Sequence, residues 1–265
     1  MSIKVCNRCV MDSTIKVIDF DKKGVCNYCK TYEHRVLTEL YKEPERTNKL
    51  NLLVEKIKKD GKNKDYDCVI GVSGGVDSSY VAHLVKEFGL RPLAIHLDNG
   101  WNSELAVQNI QQLLNKLDID LYTHVIDWEE FKDLQKAFIR SSVENLEIPT
   151  DHAINALLLK MADKYEIKYI LNGSNLVTEG ILPIQGGRNI DYRLLKDIHN
   201  KYGTKKLKTY PSISIWNFAY KVLIKKIKYI PILNYIDFDK EKKTFNAFSA
   251  NVVTDSVDTG IEKRD

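Results

Sequence analysis

Asp67-Cys68-Val69-Ile70-Gly71-Val72 runs directly into Ser73-Gly74-Gly75-Val76-Asp77-Ser78-Ser79. The first six residues are mostly apolar and β-branched, as in a strand buried on both faces of a parallel sheet. Beyond the glycines, Tyr80, Val81, Leu84, Val85 and Phe88 recur at helical spacing, and Gly89 closes the pattern. The order is strand, glycine-rich turn, helix. Glycine lets the backbone approach a bound group, and the new helix aims free N–H groups and its positive dipole end at that group. Ser73, Ser78 and Ser79 add hydroxyl donors, so the turn suits phosphate. It is not a Walker-type loop, because no lysine follows the glycines, and Gly-x-Gly-x-x-Gly is absent as well. The plainer alternative is an Asp/Ser helix cap after an ordinary turn.

Outward from this turn, strand and helix patterns alternate. Pro92 to Asp98 reads as a second strand ending at Asn99-Gly100-Trp101. This places His96, Asp98 and Asn99 at the carboxyl edge, where open α/β sheets bind ligands; a capped strand end is the competing explanation. A helix from Ser103 to Leu117, a strand from Asp120 to Ile126 and a helix from about Trp128 to Ser142 follow. Asp151 and His152 precede an apolar helix, Asp151 as either its N-cap or a functional acid. Lys168 to Leu171 forms a fourth strand that runs into Asn172-Gly173-Ser174-Asn175, with Glu179 shortly beyond. Pro183 to Arg188 reads as a substrate loop, in which Arg188 is either a phosphate clamp or a surface residue. A partly apolar helix spans Ile213 to Ile227. The alternation predicts an α/β fold with a doubly wound parallel sheet.

Four of the five cysteines form Cys6-x-x-Cys9 and Cys26-x-x-Cys29, with sixteen residues between the pairs. That is zinc-ribbon spacing, and four thiolates leave no open position for water, so such a zinc is structural. An iron–sulfur cluster is the competing occupant. Ile15 to Phe20 alternates like a strand between the pairs. Cys68, alone on the strand before the turn, reads as a buried, inert thiol.

The expected organisation is a zinc ribbon over 1–31, a helical linker broken at Pro44 over 32–64, the α/β domain over 65–240 and an atypical polar tail over 241–265. The chain has 265 residues, 43% of them hydrophobic, with net charge +4, which by itself does not imply nucleic-acid binding. The basic runs Lys205-Lys206-Leu207-Lys208 and Lys225-Lys226 read as solvated lysine or as an anion-facing surface. With no signal-peptide core at the N-terminus, the expected location is cytoplasmic, and no membrane partner is expected.

Ser73-Gly74-Gly75-Val76-Asp77-Ser78-Ser79 resembles the pyrophosphate loop (PP-loop) of the ATP pyrophosphatases, which have the adenine nucleotide alpha hydrolase-like fold. The opening Cys6-x-x-Cys9-Val10-Met11-Asp12-Ser13, the Cys26-x-x-Cys29 pair and Leu171-Asn172-Gly173-Ser174-Asn175 sharpen the resemblance. Together they are most similar to the N-acetyl sugar amidotransferases of surface-polysaccharide (O-antigen) and flagellin-glycan synthesis, over roughly Met1 to Lys240. That resemblance implies that ATP adenylates an acetamido oxygen on an activated sugar and that ammonia displaces AMP, leaving an acetamidino group. It implies that Ser73, Gly74, Gly75, Asp77, Ser78 and Ser79 hold the phosphates, with Ser73, Asp77 and Ser79 acting in catalysis. His96, Asp98, Asn99, Gly173 and Ser174 would contact the rest of the nucleotide, and Asp77 and Glu179 would hold magnesium. No glutaminase cysteine pairs with a histidine here, so ammonia would come from a separate glutamine amidotransferase subunit through a cyclase-like partner. Nucleic acid is no partner in this reading. Two alternatives remain: a tRNA-thiolating PP-loop enzyme, and a catalytically impaired short form acting in binding or assembly, since the family continues past the stretch matched by Asn234 to Asp237.

Overall fold

The computed structural model describes residues 3–181 and 192–238. Two helices, α1 (Asn27–Glu39) and α2 (Glu45–Gly61), lead from the cysteine region into the α/β unit. There β1 (Cys68–Gly71), α3 (Val76–Glu87), β2 (Pro92–Asp98), α4 (Glu104–Leu117), β3 (Asp120–Val125) and α5 (Trp128–Ser141) follow in turn. Next come α6 (Ile148–Lys164), β4 (Tyr169–Asn172) and the single turn α7 (Leu176–Glu179). The described chain ends with α8 (Tyr192–Tyr202), α9 (Ile215–Ala219, prolonged by a π turn over Tyr220–Ile224), β5 (Lys228–Pro231) and a 3-10 turn at Ile232–Tyr235. All four strand pairings are parallel, in the order β3-β2-β1-β4-β5.

Side-chain alternation along the central strands sorts two cores onto the two faces of the sheet. Ile70, Ala94 and Leu171 point toward α2, α3 and α4, where Ile57, Val81, Val85, Ile110 and Leu114 meet them. Their neighbours Val69, Leu93, Ile95 and Ile170 pack on Leu157, Leu159 and Met161 of α6. Helices thus cover both faces, which is why β1 lacks a polar side. A third cluster joins Phe131 and Phe138 of α5 to Leu195 and Ile198 of α8.

Three expectations change. The alternation at Ile15 to Phe20 forms no strand. Ile15 N–H donates to Asp12 O (3.2 Å) and Ile18 N–H to Ile15 O (3.1 Å), so local turns take the donors that a ladder would need. Asp151 is not an N-cap, because α6 already starts at Ile148 with Pro149 in its first turn. The ribbon boundary at 31 falls inside α1, so Cys29 stands on the first turn of a helix capped by Cys26, whose sulfur accepts the Cys29 N–H (3.5 Å). Among the described residues no helix is long and apolar enough to cross a membrane. The Pro183–Arg188 loop and the 241–265 tail lie outside the described residues.

Candidate functional site

The turn between β1 and α3 is held by its own groups and by two neighbouring elements. Gly74 takes φ +79, and a Cβ there would lie 2.7 Å from the Ala106 carbonyl oxygen on α4, so both conformation and space require glycine. Gly75 is the N-cap of α3 and offers no side chain to cap it. A Ser or Asp there would cap the first helical turn through its side chain, which glycine cannot do. Ser78 Oγ accepts the Ser73 N–H (3.3 Å), lies 3.3 Å from Ser73 Oγ, and donates to Gly75 O (3.0 Å). Ser79 is buried, with its N–H on Gly75 O (3.0 Å).

On the β4 side, a Cβ on Gly173 would stand 3.2 Å from Asp77 Cβ, so the Asn172–Asn175 turn packs against the first turn of α3. Ser174 is exposed there, its N–H on Asn172 Oδ1 (3.2 Å). Asn175 is buried and caps α7 through Thr178 N–H (2.8 Å). Asn234, far along the chain, accepts the Leu176 N–H (2.9 Å) and fixes α7 from behind. Glu179 ends α7 and is exposed.

On the β2 side, His96 is buried, and its Nδ1 lies 2.9 Å from the Val72 carbonyl. A carbonyl only accepts, so Nδ1 carries the proton, and the ring ties the start of the turn to β2. Beside it a cavity of about 320 Å³ opens onto Gly71, Val72 and Ser73. Ile95 and Leu97 of β2 and Ile154, Leu157 and Leu158 of α6 make its apolar walls, while Asn99, Asn102 and Asn172 supply amides. A flat, aromatic heterocycle with hydrogen-bonding edges suits such a lining. Asp98 instead borders a second cavity beneath α4, and its Oδ1 accepts from Gly100 N–H (3.0 Å) and Asn102 Nδ2 (3.3 Å), shaping the strand-end turn.

Residues Ser73–Ser79, His96, Asn99, Gly173 and Ser174 thus gather around one sheet edge. His152, undecided in sequence, is fully buried: its Nε2 accepts the Ile213 N–H (3.1 Å), and its ring stacks near Tyr192 and Tyr210. It is a core residue. Cys68 is fully buried in β1, where burial and then the nearby Asp67 charge push its thiol well above the ordinary range, away from any nucleophilic role.

The N-terminal cysteines form the second candidate centre. Their four sulfurs all lie within 4.8 Å of one another, with Cys6–Cys29 at 3.9 Å and Cys9–Cys26 at 3.7 Å. Tetrahedral thiolates at a Zn–S distance of about 2.3 Å would sit roughly 3.8 Å apart, so the arrangement fits that ion. Cys6 Sγ accepts N–H groups from Arg8 (3.4 Å) and Cys26 (3.3 Å). Burial opposes its thiolate, but N–H donors from Cys9, Arg8 and Cys26 outweigh it and bring the thiol down to about 6. Burial and the neighbouring sulfurs push Cys29 the other way. Bound zinc would hold all four as thiolates. Ile181, just past α7, packs on this cluster, and Tyr32 Oη donates to Val177 O (3.3 Å), so the ribbon touches α7.

The sequence model of the NAD synthase family matches residues 47–161, from α2 to near the end of α6. Comparison with curated proteins gave no match. Among solved structures, the chain is similar to an NH3-dependent NAD synthetase from Campylobacter jejuni, at 19% identity over 77% of this chain and 84% of that one, TM-score 0.39. It is similar to a predicted subunit of tRNA methyltransferase from Methanocaldococcus jannaschii, at 18% identity over 68% and 74%, TM-score 0.38. It is also similar to an NMN synthetase from Francisella tularensis, at 15% identity over 79% and 95%, TM-score 0.37. The NAD synthase match thus covers the glycine-rich turn with β1, β2 and β3, and a four-cysteine cluster that could hold zinc precedes it in the chain.

Proposed function

We propose that this chain uses ATP to activate an amide oxygen as its adenylate and lets ammonia displace AMP, converting an acetamido group on an activated sugar into an acetamidino group. The observation that carries the nucleotide part is the 320 Å³ cavity that Ser73, the first residue of the glycine turn, lines together with apolar walls and the amides of Asn99, Asn102 and Asn172. The sugar part rests on the sequence resemblance. An amide carbonyl is a poor electrophile, and adenylation gives it a good leaving group. Ser73, Ser78, Ser79 and the first-turn N–H groups of α3 would take the pyrophosphate oxygens. Asp77, with Glu179 as second carboxylate, would hold magnesium, which offsets charge on the departing pyrophosphate. His96 acts as a positioning residue that steadies the start of the turn through Val72. With Cys68 buried, no nucleophile for glutamine hydrolysis stands in the site, and ammonia would come from a separate glutamine amidotransferase through a cyclase-like partner.

The test is AMP and pyrophosphate release from ATP with ammonium, using a panel of acetamido sugars against bulk tRNA. Sugar-dependent AMP release, with NH replacing the carbonyl oxygen in the product by mass spectrometry, is the expected result. AMP release only with tRNA and a sulfur donor would move the assignment to thiolation. ATP binding without AMP formation, even with an active glutaminase partner, would point to a binding role.

A further inference from the structure

Helix α9 and its π turn turn the wrong side outward for a soluble surface. Trp216 is 78% exposed, Leu223 71% and Ile224 66%, and Ile215 and Tyr220 are also exposed. Successive positions lie one, four, three and one residues apart, so they merge into one broad apolar stripe along ten helical residues. Phe218 and Val222 face inward, Phe218 packing beside Ile213 and Ile227 on the α6 side of the sheet. Scattered exposed apolar residues are ordinary, whereas a contiguous stripe with a Trp and a Tyr marks a contact surface. Nothing in the nucleotide site uses it.

The surrounding charge narrows what covers it. From Gly203 to Ile236 the chain holds seven lysines and no aspartate or glutamate. Lys205, Lys206 and Lys208 precede the helix, Lys226 and Lys228 follow it, and all five are exposed. Lys221 and Lys225 share Asp163 of α6, which leaves a basic excess. The Thr204–Thr209 segment is tied to Asp133 and Glu130 of α5, so the lysines that stand directly past the stripe are Lys226 and Lys228. Apolar side chains with interfacial aromatics, flanked by lysine, match the way a short helix lies in the headgroup layer of an anionic bilayer. The geometry points to the α9 stripe as a membrane-surface contact that inserts Trp216, Tyr220, Leu223 and Ile224 while the lysines meet anionic lipid headgroups. This is independent of the nucleotide reading. It also differs from spanning, for which no described helix is suited.

The full chain should co-sediment with vesicles of phosphatidylglycerol and phosphatidylcholine, and far less with phosphatidylcholine alone. The Trp216→Ser/Leu223→Ser pair and the Lys226→Glu/Lys228→Glu pair should each weaken binding about tenfold or more, and added salt should weaken the wild type. All four side chains are exposed, so circular dichroism and melting should be unchanged. No lipid-dependent binding, or binding undiminished by the Ser pair, overturns the proposal. A wild-type dimer in light scattering that the Ser pair dissociates, with no lipid binding, would assign the stripe to a second copy instead.

Discussion

The glycine turn and the cysteine ribbon are both small, but they are held in different ways. The turn is a product of the sheet: Gly74 is wedged against Ala106, Gly173 presses on Asp77, and His96 braces Val72, all from elements with their own cores. The ribbon has no such frame. Among the described residues its buried set is Cys6, Cys26, Tyr28 and Cys29, and its only bridges are the isolated pairs Val5–Asp12 and Phe20–Cys26. A cluster this small cannot offset the chain entropy of some thirty residues without metal. The contrast teaches that the two centres should fail separately.

Metal loss is the harshest way to break the comparison. Cys6→Ser should abolish stoichiometric zinc, since a structural site contributes about 10 kcal/mol or more to its own folding. Hydrogen exchange should then rise over residues 3–31 while β1, β2 and β4 stay protected. Full zinc retention by the variant would refute the ribbon. Asp77→Asn probes the other centre: AMP formation should fall about a hundredfold or more, with zinc content and melting unchanged. Unaltered turnover would remove Asp77 from the chemistry.

What sequence made legible divides along the same line. The turn, the strands on either side and the Cys-x-x-Cys pairs are local signals, and the fold they predict is the one observed. The brace from His96 to Val72 spans twenty-four residues, and Asn234 to Leu176 fifty-eight. Glu130, buried on α5, takes the backbone N–H groups of Lys208 (2.7 Å) and Thr209 (2.9 Å), fixing the segment ahead of α9. Nothing near these residues in sequence reveals such partners, because tertiary folding chooses them. His96 reads from sequence as an edge residue, while its bond to Val72 leaves no local trace. β5 leaves no strand signal in sequence because Pro231 sits at its end and Tyr229-Ile230 is too short to show a period. Asp151 has the chemistry of a cap but stands three places inside a helix already begun.

A finer break lies within the turn itself. At Gly74 a new Cβ meets Ala106 backbone at 2.7 Å and inherits a positive φ, so Gly74→Ala should cost roughly 1–3 kcal/mol of stability. At Gly75 the nearest atom to a Cβ is Ser73 Oγ at 3.5 Å, and the backbone is extended with φ −83. Gly75→Ala should therefore melt within about 0.5 kcal/mol of the parent. Equal losses for both would mean that the turn is held by something other than the α4 contact.

The last break concerns the seam between the two centres. Tyr32 Oη reaches the Val177 carbonyl at 3.3 Å, and a Cβ on Gly180 would come within 2.6 Å of the Tyr32 ring, so the ring lies where only glycine leaves room. The bond is solvent-exposed, so water can replace the hydroxyl. Tyr32→Phe should cost under about 1 kcal/mol and leave the KM for ATP within roughly twofold. Both readouts matter, because α7 continues the turn that packs on Asp77. If Tyr32→Phe kept the melting temperature but raised that KM tenfold, the ribbon would be positioning the β4 turn. The separate failure argued from the two frames would then give way to a single coupled unit, with the cysteine cluster as part of the nucleotide site's support.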